Sequence, residues 1–354
     1  TIAQQLTNNT TNPITVTYAV TPTFTNAGVT CSGTTQNVSV VVSPAPQLTV
    51  TNNAPTICSP SATNIAISST TSGAVISWTT AAVGGITGNA DGTGTSIAQT
   101  LTSTNTTPTT VTYVVSVTAN GCTAPTQSVN VVVNPTPQVT ITNNDDSLCS
   151  GETTDIALSS TVAGTVFNWT VVTGGSTGAS AGSGATIAQT LTNTGTSSVT
   201  VTYAVTPTFT NAGVTCTGTT QNVSVVVSPG PQLTVTNNAP TICSPASTNI
   251  ALSSTTSGAV ISWTSAAVAG ITGNADGTGL SIAQTLTSSN TTPTTVSYVV
   301  SVTANGCTAP TQTVNVVVNP TPSVTITNND DSICSEQFTD INLTSSVSGT
   351  VFNW

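Results

Sequence analysis

The chain repeats itself with a period of 185 residues, and this periodicity restricts the fold more than any other feature of the sequence. The opening stretch TIAQQLTN at residues 1–8 returns as TIAQTLTN at 186–193. A shorter repeat lies within the long one, because Trp78, Trp169, Trp263 and Trp354 are separated by 91, 94 and 91 residues. Self-similarity at a fixed period is typical of an array in which each repeat is one structural unit. We therefore expect alternating A and B units.

Proline-rich tetrads mark where one unit ends and the next begins: SPAP (43–46), NPTP (134–137), SPGP (228–231) and NPTP (319–322). Proline cannot donate to a strand ladder and stiffens a short connection. These boundaries predict an A unit at 46–136, a B unit at 137–230 and a second A unit at 231–321. Residues 1–45 are then the C-terminal half of a partial B unit, and 322–354 the N-terminal half of another. Neither half could bury a core alone, so we expect the chain to be a window on a longer array.

Apolar and polar residues alternate in short runs within each unit. In the B unit the runs are QVTIT, DIALSS, VFNW, TIAQTLT, VTVTYAV and NVSVVV, separated by clusters of Gly, Asn, Ser and Pro. This alternation is typical of antiparallel strands with one buried face, and no helical period of 3.6 residues appears. About seven strands per unit, with a Trp on the third, predict an immunoglobulin-like sandwich of two sheets. The predicted fold class is therefore all-β, with tandem immunoglobulin-like sandwiches in a linear rod.

One polar residue interrupts the alternation at an inward position. Gln189 lies between Ile187 and Leu191, and Gln4, Gln99 and Gln284 occupy the same place in the other units. Buried polar groups in proteins are nearly always hydrogen-bonded. We expect a buried amide that bonds to backbone.

The chain has no Lys, Arg or His, and its ten acidic residues give a net charge of −10. Surface ion pairs are therefore impossible, and nucleic acid is excluded as a partner because a phosphate interface needs Lys or Arg. No apolar run approaches the roughly 20 residues of a membrane helix, so no direct membrane insertion is expected. The start of the sequence lacks a basic leader, so we expect a signal peptide to be removed or to lie outside it.

Catalysis is poorly supported by the residue types. The usual general bases are missing, and a Ser–His–Asp arrangement cannot be built without His. A pair of carboxylates for glycoside hydrolysis is the one catalytic arrangement left, but the acids recur in each B unit and are nearly absent from the A units. We expect a non-enzymatic protein with no catalytic residues.

Eight cysteines occur at two places per unit, one after the first strand and one in the last hairpin. We predict disulfides within each unit that staple loops at one end of the sandwich: Cys58–Cys122, Cys149–Cys216 and Cys243–Cys307. Cys31 and Cys334 are expected to lack partners because their units are cut. Zinc is excluded, since it needs CxxC pairs or His. Disulfides indicate an oxidising, extracellular location.

Several stretches together resemble a known family: SLCSGETTDIALSS, VFNWTV, TIAQTLTN, VTVTYAVTPT, NGCTAP and VVVNPTP. They are similar to the PKD-like repeats of very large surface proteins of Bacteroidetes-type bacteria, including adhesins that gliding cells move along their surface. The resemblance covers the whole chain. It implies immunoglobulin-like spacers that are exported and anchored outside the cell.

The acidic residues gather beside a cysteine in NNDDSLCSGETTD (143–155), and the pattern returns as NNDDSICSEQFTD (328–340). The first interpretation is a polar turn. The second is O-glycosylation at Ser147 and Ser332, because DSL and DSI resemble the Asp-Ser/Thr-aliphatic acceptor signal of the same bacteria. The third is calcium, although no EF-hand spacing is present. The calcium ligands would be Asp145, Asp146, Glu152 and Asp155.

The sequence therefore predicts the stalk or filament segment of a giant extracellular surface adhesin. Its partners would be the neighbouring repeats and, in a filament, other copies of the chain. A surface or polysaccharide ligand would be bound by domains outside this segment. No cofactor is expected apart from the calcium hypothesis. A self-assembling filament or sheath with lateral packing is the first alternative. A carbohydrate-binding module array of a secreted hydrolase is the second, and exposed aromatic residues would favour it.

Overall fold

The computed structural model describes residues 1–354 and is all-β, as predicted. Its strands form three complete sandwiches, the first between Thr49 and Asn134, the second between Thr140 and Ser228 and the third between Thr234 and Asn319, with shorter paired strands at both ends. The structure contains no helix long and apolar enough to span a membrane.

Four strands lie in the N-terminal segment: β1 (Ile14–Val20), β2 (Thr23–Asn26), β3 (Val29–Ser32) and β4 (Gln36–Val42). Twelve form the first A unit: β5 (Thr49–Asn52), β6 (Thr56–Cys58), β7 (Ser61–Ala62), β8 (Ile65–Ser68), β9 (Val75–Thr80), β10 (Ile86–Thr87), β11 (Gly92–Thr93), β12 (Ser96–Ile97), β13 (Thr100–Ser103), β14 (Thr109–Ala119), β15 (Cys122–Thr123) and β16 (Gln127–Asn134).

Nine strands form the B unit: β17 (Thr140–Asn143), β18 (Ser147–Cys149), β19 (Ile156–Ser159), β20 (Val166–Thr173), β21 (Gly182–Ser183), β22 (Thr186–Ile187), β23 (Val199–Asn211), β24 (Val214–Thr217) and β25 (Gln221–Ser228).

Twelve strands form the second A unit: β26 (Thr234–Asn237), β27 (Thr241–Cys243), β28 (Ala246–Ser247), β29 (Ile250–Ser253), β30 (Val260–Thr264), β31 (Ile271–Thr272), β32 (Gly277–Thr278), β33 (Ser281–Ile282), β34 (Thr285–Ser288), β35 (Thr294–Ala304), β36 (Cys307–Thr308) and β37 (Gln312–Asn319). The C-terminal segment holds β38 (Thr325–Asn328) and β39 (Ile341–Thr344).

Each unit packs one large sheet against smaller ones. In the first A unit the large sheet has the order β11–β9–β14–β16–β6, and it faces the sheets β12–β8–β5 and β10–β13–β7. The B unit has the order β18–β25–β23–β20–β21 facing β17–β19–β22, and the second A unit repeats the first. The two layers form the sandwich that the alternation predicts, and the second layer of each A unit is divided into two small sheets.

The core of each unit consists of the inward residues of the alternating runs. In the B unit Val201, Tyr203 and Val205 are fully buried on β23, while Phe167 and Trp169 pack against them from β20. Comparable clusters of buried residues fill the two A units. Because successive strand side chains point to opposite faces, each run buries every second residue and leaves the others outward.

Outward residues pair across the strands through hydroxyl groups. On β23 and its neighbours, the Oγ1 of Thr202 lies 2.8 Å from the Ser224 Oγ, and the Oγ1 of Thr210 lies 2.8 Å from the Thr215 Oγ1. Cross-strand Thr and Ser pairs stabilise antiparallel sheets. In a chain without Lys or Arg these neutral pairs occupy the positions where ion pairs usually form.

The strand directions give each unit two distinct ends. β14 and β16 are antiparallel, and β6 runs parallel to β16 so that Cys58 lies beside Asn134. We call this end, where the chain leaves for the next unit, the exit pole. The opposite end, where β14 turns at Asn120 and Gly121, is the entry pole.

Candidate functional site

The entry pole of each unit carries a tight hairpin turn that places a cysteine. In the first A unit, Asn120 and Gly121 have φ angles of +50° and +78°, the left-handed values that a two-residue hairpin turn needs. Cys122 follows at once and pairs with Ala119. In the B unit the hairpin is longer and turns at Ala212 and Gly213, so that Cys216 pairs with Phe209. The second cysteine of each unit therefore lies at the entry pole.

The first cysteine of each unit lies at the other end. Cys58 is opposite Asn134 on β16, and Val133 on that strand is opposite Thr109 at the start of β14. Ten residues of β14 separate Thr109 from Ala119, the partner of Cys122, which is about 33 Å at the rise of an extended strand. A disulfide requires two Cα atoms within about 7 Å. Cys58 and Cys122 therefore cannot bond to each other.

The structure joins cysteines of neighbouring units instead. Cys58 at the exit pole of the first A unit is bonded to Cys216 at the entry pole of the B unit, with 5.4 Å between their Cα atoms. Cys149 of the B unit is bonded in the same way to Cys307 of the second A unit, with a Cα separation of 5.6 Å. The predicted pairs Cys58–Cys122, Cys149–Cys216 and Cys243–Cys307 are wrong, because each would have to span the full length of a sheet.

The remaining four cysteines are free thiols in the structure: Cys31, Cys122, Cys243 and Cys334. Cys31 and Cys334 belong to the incomplete units at the two ends of the chain. Cys122 and Cys243 were predicted to form disulfides and are free instead. Each lies at the pole that faces away from the two bridged junctions.

Polar contacts accompany the disulfide where the A unit meets the B unit. Asn134 is fully buried at the end of β16, and its Nδ2 donates a hydrogen bond to the Asn211 carbonyl at 3.3 Å. Asn211 returns a bond from its Nδ2 to the Asn134 Oδ1 at 2.8 Å. Within the A unit, the Thr136 hydroxyl donates to the Ser59 carbonyl and ties the proline-rich linker to the exit pole. The amide pair and the disulfide together hold the hairpin of the B unit on the exit pole of the A unit.

The junction from the B unit to the second A unit uses a different contact. The Ser257 backbone N–H donates to the Thr196 carbonyl at 3.0 Å, across the boundary. The same bond joins Ser72 to Thr11 at 2.9 Å, one period earlier in the chain. Ser228, which replaces Asn134 at this exit pole, pairs with Ser198 of its own unit at 3.1 Å. The two types of junction therefore share a disulfide position but differ in their hydrogen bonds.

The entry pole of the B unit is packed closely against its linker. An added Cβ on Gly218, two residues after Cys216, would lie 1.8 Å from the Pro137 carbonyl oxygen. That separation is far below van der Waals contact, so only glycine fits beside the linker. Gly218 therefore lets the hairpin and the proline-rich linker approach closely at the bridged junction.

The inward glutamine of each unit organises a loop beside the core. The Gln189 Oε1 accepts hydrogen bonds from the Ser180 N–H at 2.9 Å and from the Tyr203 hydroxyl at 2.9 Å, while its Nε2 donates to the Ser180 carbonyl at 2.8 Å. Trp169 donates from Nε1 to the same carbonyl at 3.2 Å. This confirms an inward amide bonded to backbone, but the side chain is half-buried and not buried as predicted.

Burial of the tyrosine partners changes their acidity. Desolvation raises the pKa of Tyr113 to about 12, and it also raises the pKa of Tyr203 and Tyr298 above the ordinary value. The neutral phenol is favoured because the charged form would lose its hydration in the core.

The acidic stretch of the B unit forms a turn in which each carboxylate has its own partner. The Asp145 Oδ2 accepts from the Asp155 N–H at 2.9 Å, and the Asp155 Oδ2 accepts from the Asn144 side chain at 2.9 Å. The Glu152 Oε2 accepts from the Cys149 N–H at 2.7 Å, and the Asp146 Oδ1 accepts from an Asn side chain at 3.3 Å. These side chains do not form a group of three or more that would hold a metal ion.

The second copy of the acidic stretch keeps one of these hydrogen bonds with a different side chain. Gln337 stands where the first copy has Glu152, and its Oε1 accepts from the Cys334 N–H at 3.2 Å. A neutral amide therefore replaces the carboxylate in the same contact. Hydrogen-bond acceptance, rather than charge, is the common requirement. The predicted acceptor residues Ser147 and Ser332 are both exposed beside these turns.

Sequence reasoning did not identify Asn134, Asn211 or Gly218. The sequence did contain a sign that the cysteines of one unit lie at opposite ends. Asn134, at the end of the first A unit, is twelve positions after Cys122 along a mostly extended chain. That length places Cys122 one strand away from the exit pole. The contact between Asn134 and Asn211 has no local signal, because it joins residues 77 positions apart in two different units.

Three stretches of the chain match the model of the PKD-like domain family: residues 55–137, 146–231 and 240–322. No curated protein matches the chain significantly. Among solved structures, mouse cadherin-23 EC22-24 aligns at 12% identity over 78% of this chain and 99% of that chain, with a TM-score of 0.35. Dpr2 Ig1-Ig2 in complex with DIP-Theta Ig1-Ig3 aligns at 9% identity over 78% and 100%, with a TM-score of 0.31. Both structural likenesses are too distant to support an argument.

Proposed function

The chain belongs to the PKD-like domain family, and from this premise we propose that it is a non-enzymatic, load-bearing stalk segment of a giant bacterial surface adhesin. The single observation that carries this proposal is the bonding of two successive exit poles, those of the first A unit and of the B unit, to the entry pole of the next repeat. A bond in that position transmits tension from one sandwich to the next without relying on the linker alone. Its purpose is mechanical continuity along the array.

An extracellular location accords with the same bonds, because disulfides form and persist in oxidising compartments. The composition supports a structural role over catalysis, since no His or Lys is available as a general base. We propose anchoring at the cell surface, with adhesion to a surface or polysaccharide carried by other domains. Movement along the surface of a gliding cell is part of the same proposal.

Each bond also stabilises the array as a whole. The chain-entropy model gives about 5 kcal/mol for closing a loop of this length, near the upper end of the usual range. The loop spans 158 residues and includes parts of two units. Unfolding of one unit is therefore coupled to its neighbour. An adhesive stalk that is pulled by its ends benefits from that coupling.

Glycosylation of Ser147 and Ser332 remains part of the proposal, because Ser147 is exposed on the edge strand β18 of a complete unit and Ser332 holds the same position one period later. A glycan there would keep a nearly uncharged surface soluble. Intact mass of the protein isolated from its own bacterium tests this directly. A mass equal to that of the unmodified chain would remove glycosylation, and it would leave the stalk proposal standing.

The stalk itself is tested by imaging the oxidised protein and by labelling cells. Negative-stain images should show thin single rods whose length grows by a constant increment with each added 185-residue period. An antibody against the B unit should label intact cells of the producing bacterium. Thick bundles of parallel rods would instead support a laterally packed filament. Labelling only after lysis would overturn the proposed location.

A further inference from the structure

The two disulfides overlap along the chain, and this overlap has a consequence beyond joining neighbours. The first bond closes the stretch from Cys58 to Cys216, and the second closes the stretch from Cys149 to Cys307. The second stretch begins before the first one ends. Residues 149–216 are therefore enclosed by both bonds.

We propose that the array is tolerant of single backbone cuts: any one peptide bond between Cys58 and Cys307 can be hydrolysed without separating the chain ends. Every peptide bond in that range lies inside at least one disulfide loop. Cleavage adds one water molecule across the broken bond and leaves both disulfides untouched. The two new ends stay attached through the neighbouring repeat.

Bonds within each unit would not provide this protection. With Cys58 bonded to Cys122 and Cys149 to Cys216, the connection from residue 122 to residue 149 would lie outside every loop. That connection contains the loop 124–126, which is exposed at Pro125 and Thr126, and the proline-rich linker. Bonds between units cover the linkers as well as the sandwiches. The protected range is therefore continuous across the junctions.

Exposed loops make the protection relevant to a protein that meets proteases. The absence of Lys and Arg already removes every site for trypsin-like enzymes. Proteases that cut after apolar or small residues still have exposed targets, such as the glycine-rich loop 174–178 of the B unit. This inference concerns the covalent connectivity alone. A failure of the cleavage test would remove the disulfide coupling on which the stalk proposal rests. Bundled rods, or labelling of cells only after lysis, would overturn the stalk with the bonds intact, so the two failures can be told apart.

The composition permits a clean test with trypsin, since one introduced arginine is then the only cleavage site. Thr126→Arg places the site in an exposed loop of the first A unit, inside the loop closed by Cys58 and Cys216. Thr311→Arg places it at the same point of the second A unit, beyond Cys307. The two variants have matched surroundings, so they differ mainly in whether a disulfide encloses the cut.

Free thiols are alkylated first, and the mass must show four modified cysteines and two intact bonds before digestion. Trypsin is then applied in mild denaturant, so that folding does not hide the site. Without reductant, we expect the Thr126→Arg chain to remain one molecule, heavier by one water. The Thr311→Arg chain should release residues 312–354. Release of a fragment from Thr126→Arg without reductant would overturn the proposal.

Removal of individual bonds tests the overlap itself. Gly174→Arg places the cut where both loops enclose it, and it should stay joined after either C58S/C216S or C149S/C307S. It should separate only when all four of these cysteines are replaced. Thr126→Arg should separate in C58S/C216S and stay joined in C149S/C307S. Separation of Gly174→Arg in either variant with one remaining bond would refute the overlap.

Discussion

Pulling the chain by its ends measures the disulfide connectivity as a length. With both bonds intact, the shortest covalent path runs from Thr1 to Cys58, crosses to Cys216, returns to Cys149, crosses to Cys307 and ends at Trp354. That path contains about 170 residue-to-residue steps, or about 600 Å at about 3.5 Å per residue. The fully reduced chain of 354 residues reaches about 1,200 Å.

The informative perturbation is the loss of one bond. In C58S/C216S, the shortest path follows the backbone to Cys149 and crosses to Cys307, which is about 195 steps or about 680 Å. The expected gain in contour length is therefore only about 80 Å. If the bonds were within units, the same variant would break both Cys58–Cys122 and Cys149–Cys216. The gain in contour length would then be about 130 steps, or about 460 Å.

Optical tweezers with handles on the two termini resolve this difference. The free thiols of all proteins should be alkylated without reductant before pulling, which prevents exchange and leaves every cysteine available to either connectivity. In the structure these thiols are Cys31, Cys122, Cys243 and Cys334. C149S/C307S serves as the matched variant and should show the same small gain. The double loss should add roughly 550 Å beyond either single loss. A gain near 460 Å in C58S/C216S would refute the connectivity between units.

Three further outcomes follow from the geometry. Gly178→Ala should lower the free energy of unfolding by about 1–3 kcal/mol, because the φ of Gly178 is +96° and the new Cβ would lie 2.0 Å from the Thr190 carbonyl oxygen. Denaturant titration checks this against Gly174→Ala, which has no such contact, and equal midpoints for the two variants would contradict it. The free energy of unfolding should fall as pH rises from about 10 towards about 12, because Tyr113 loses its proton at a lower pH in the unfolded chain than in the folded one. Tyr113→Phe should flatten the plot of stability against pH in this range, and an unchanged slope would exclude Tyr113 as the cause. Calcium should leave the melting temperature unchanged, since the carboxylates form no metal-binding group; a rise at millimolar calcium would disagree with the structure of the acidic turn.

The two types of junction alternate along the chain and differ in the contacts that accompany the disulfide. The A-to-B boundary combines a disulfide with the buried Asn134–Asn211 pair. The B-to-A boundary combines a disulfide with the backbone bond between Thr196 and Ser257. A period of two units is then the smallest element that carries both contacts, which matches the 185-residue repeat of the sequence.

Much of each unit followed from the sequence. The inward residues of the runs, such as Val201 and Tyr203, are buried as the alternation predicts. The inward position of Gln189 was predicted in the same way, and its backbone bonds were found. These features depend on residues that are close in the chain. Strand geometry turns a pattern with a period of two residues directly into a buried face and an exposed face.

The sequence alone therefore determined that the protein consists of repeated all-β sandwiches, without positive charge and with two cysteines in each unit. Only the tertiary structure decided which cysteines meet. That outcome depends on the parallel pairing of β6 with β16, which places Cys58 at the exit pole, and on the direction of the hairpin that carries Cys216. Neither relation is local in the chain. A disulfide forms between cysteines whose Cα atoms lie within a few ångströms, and that distance is set by how two folded units stack.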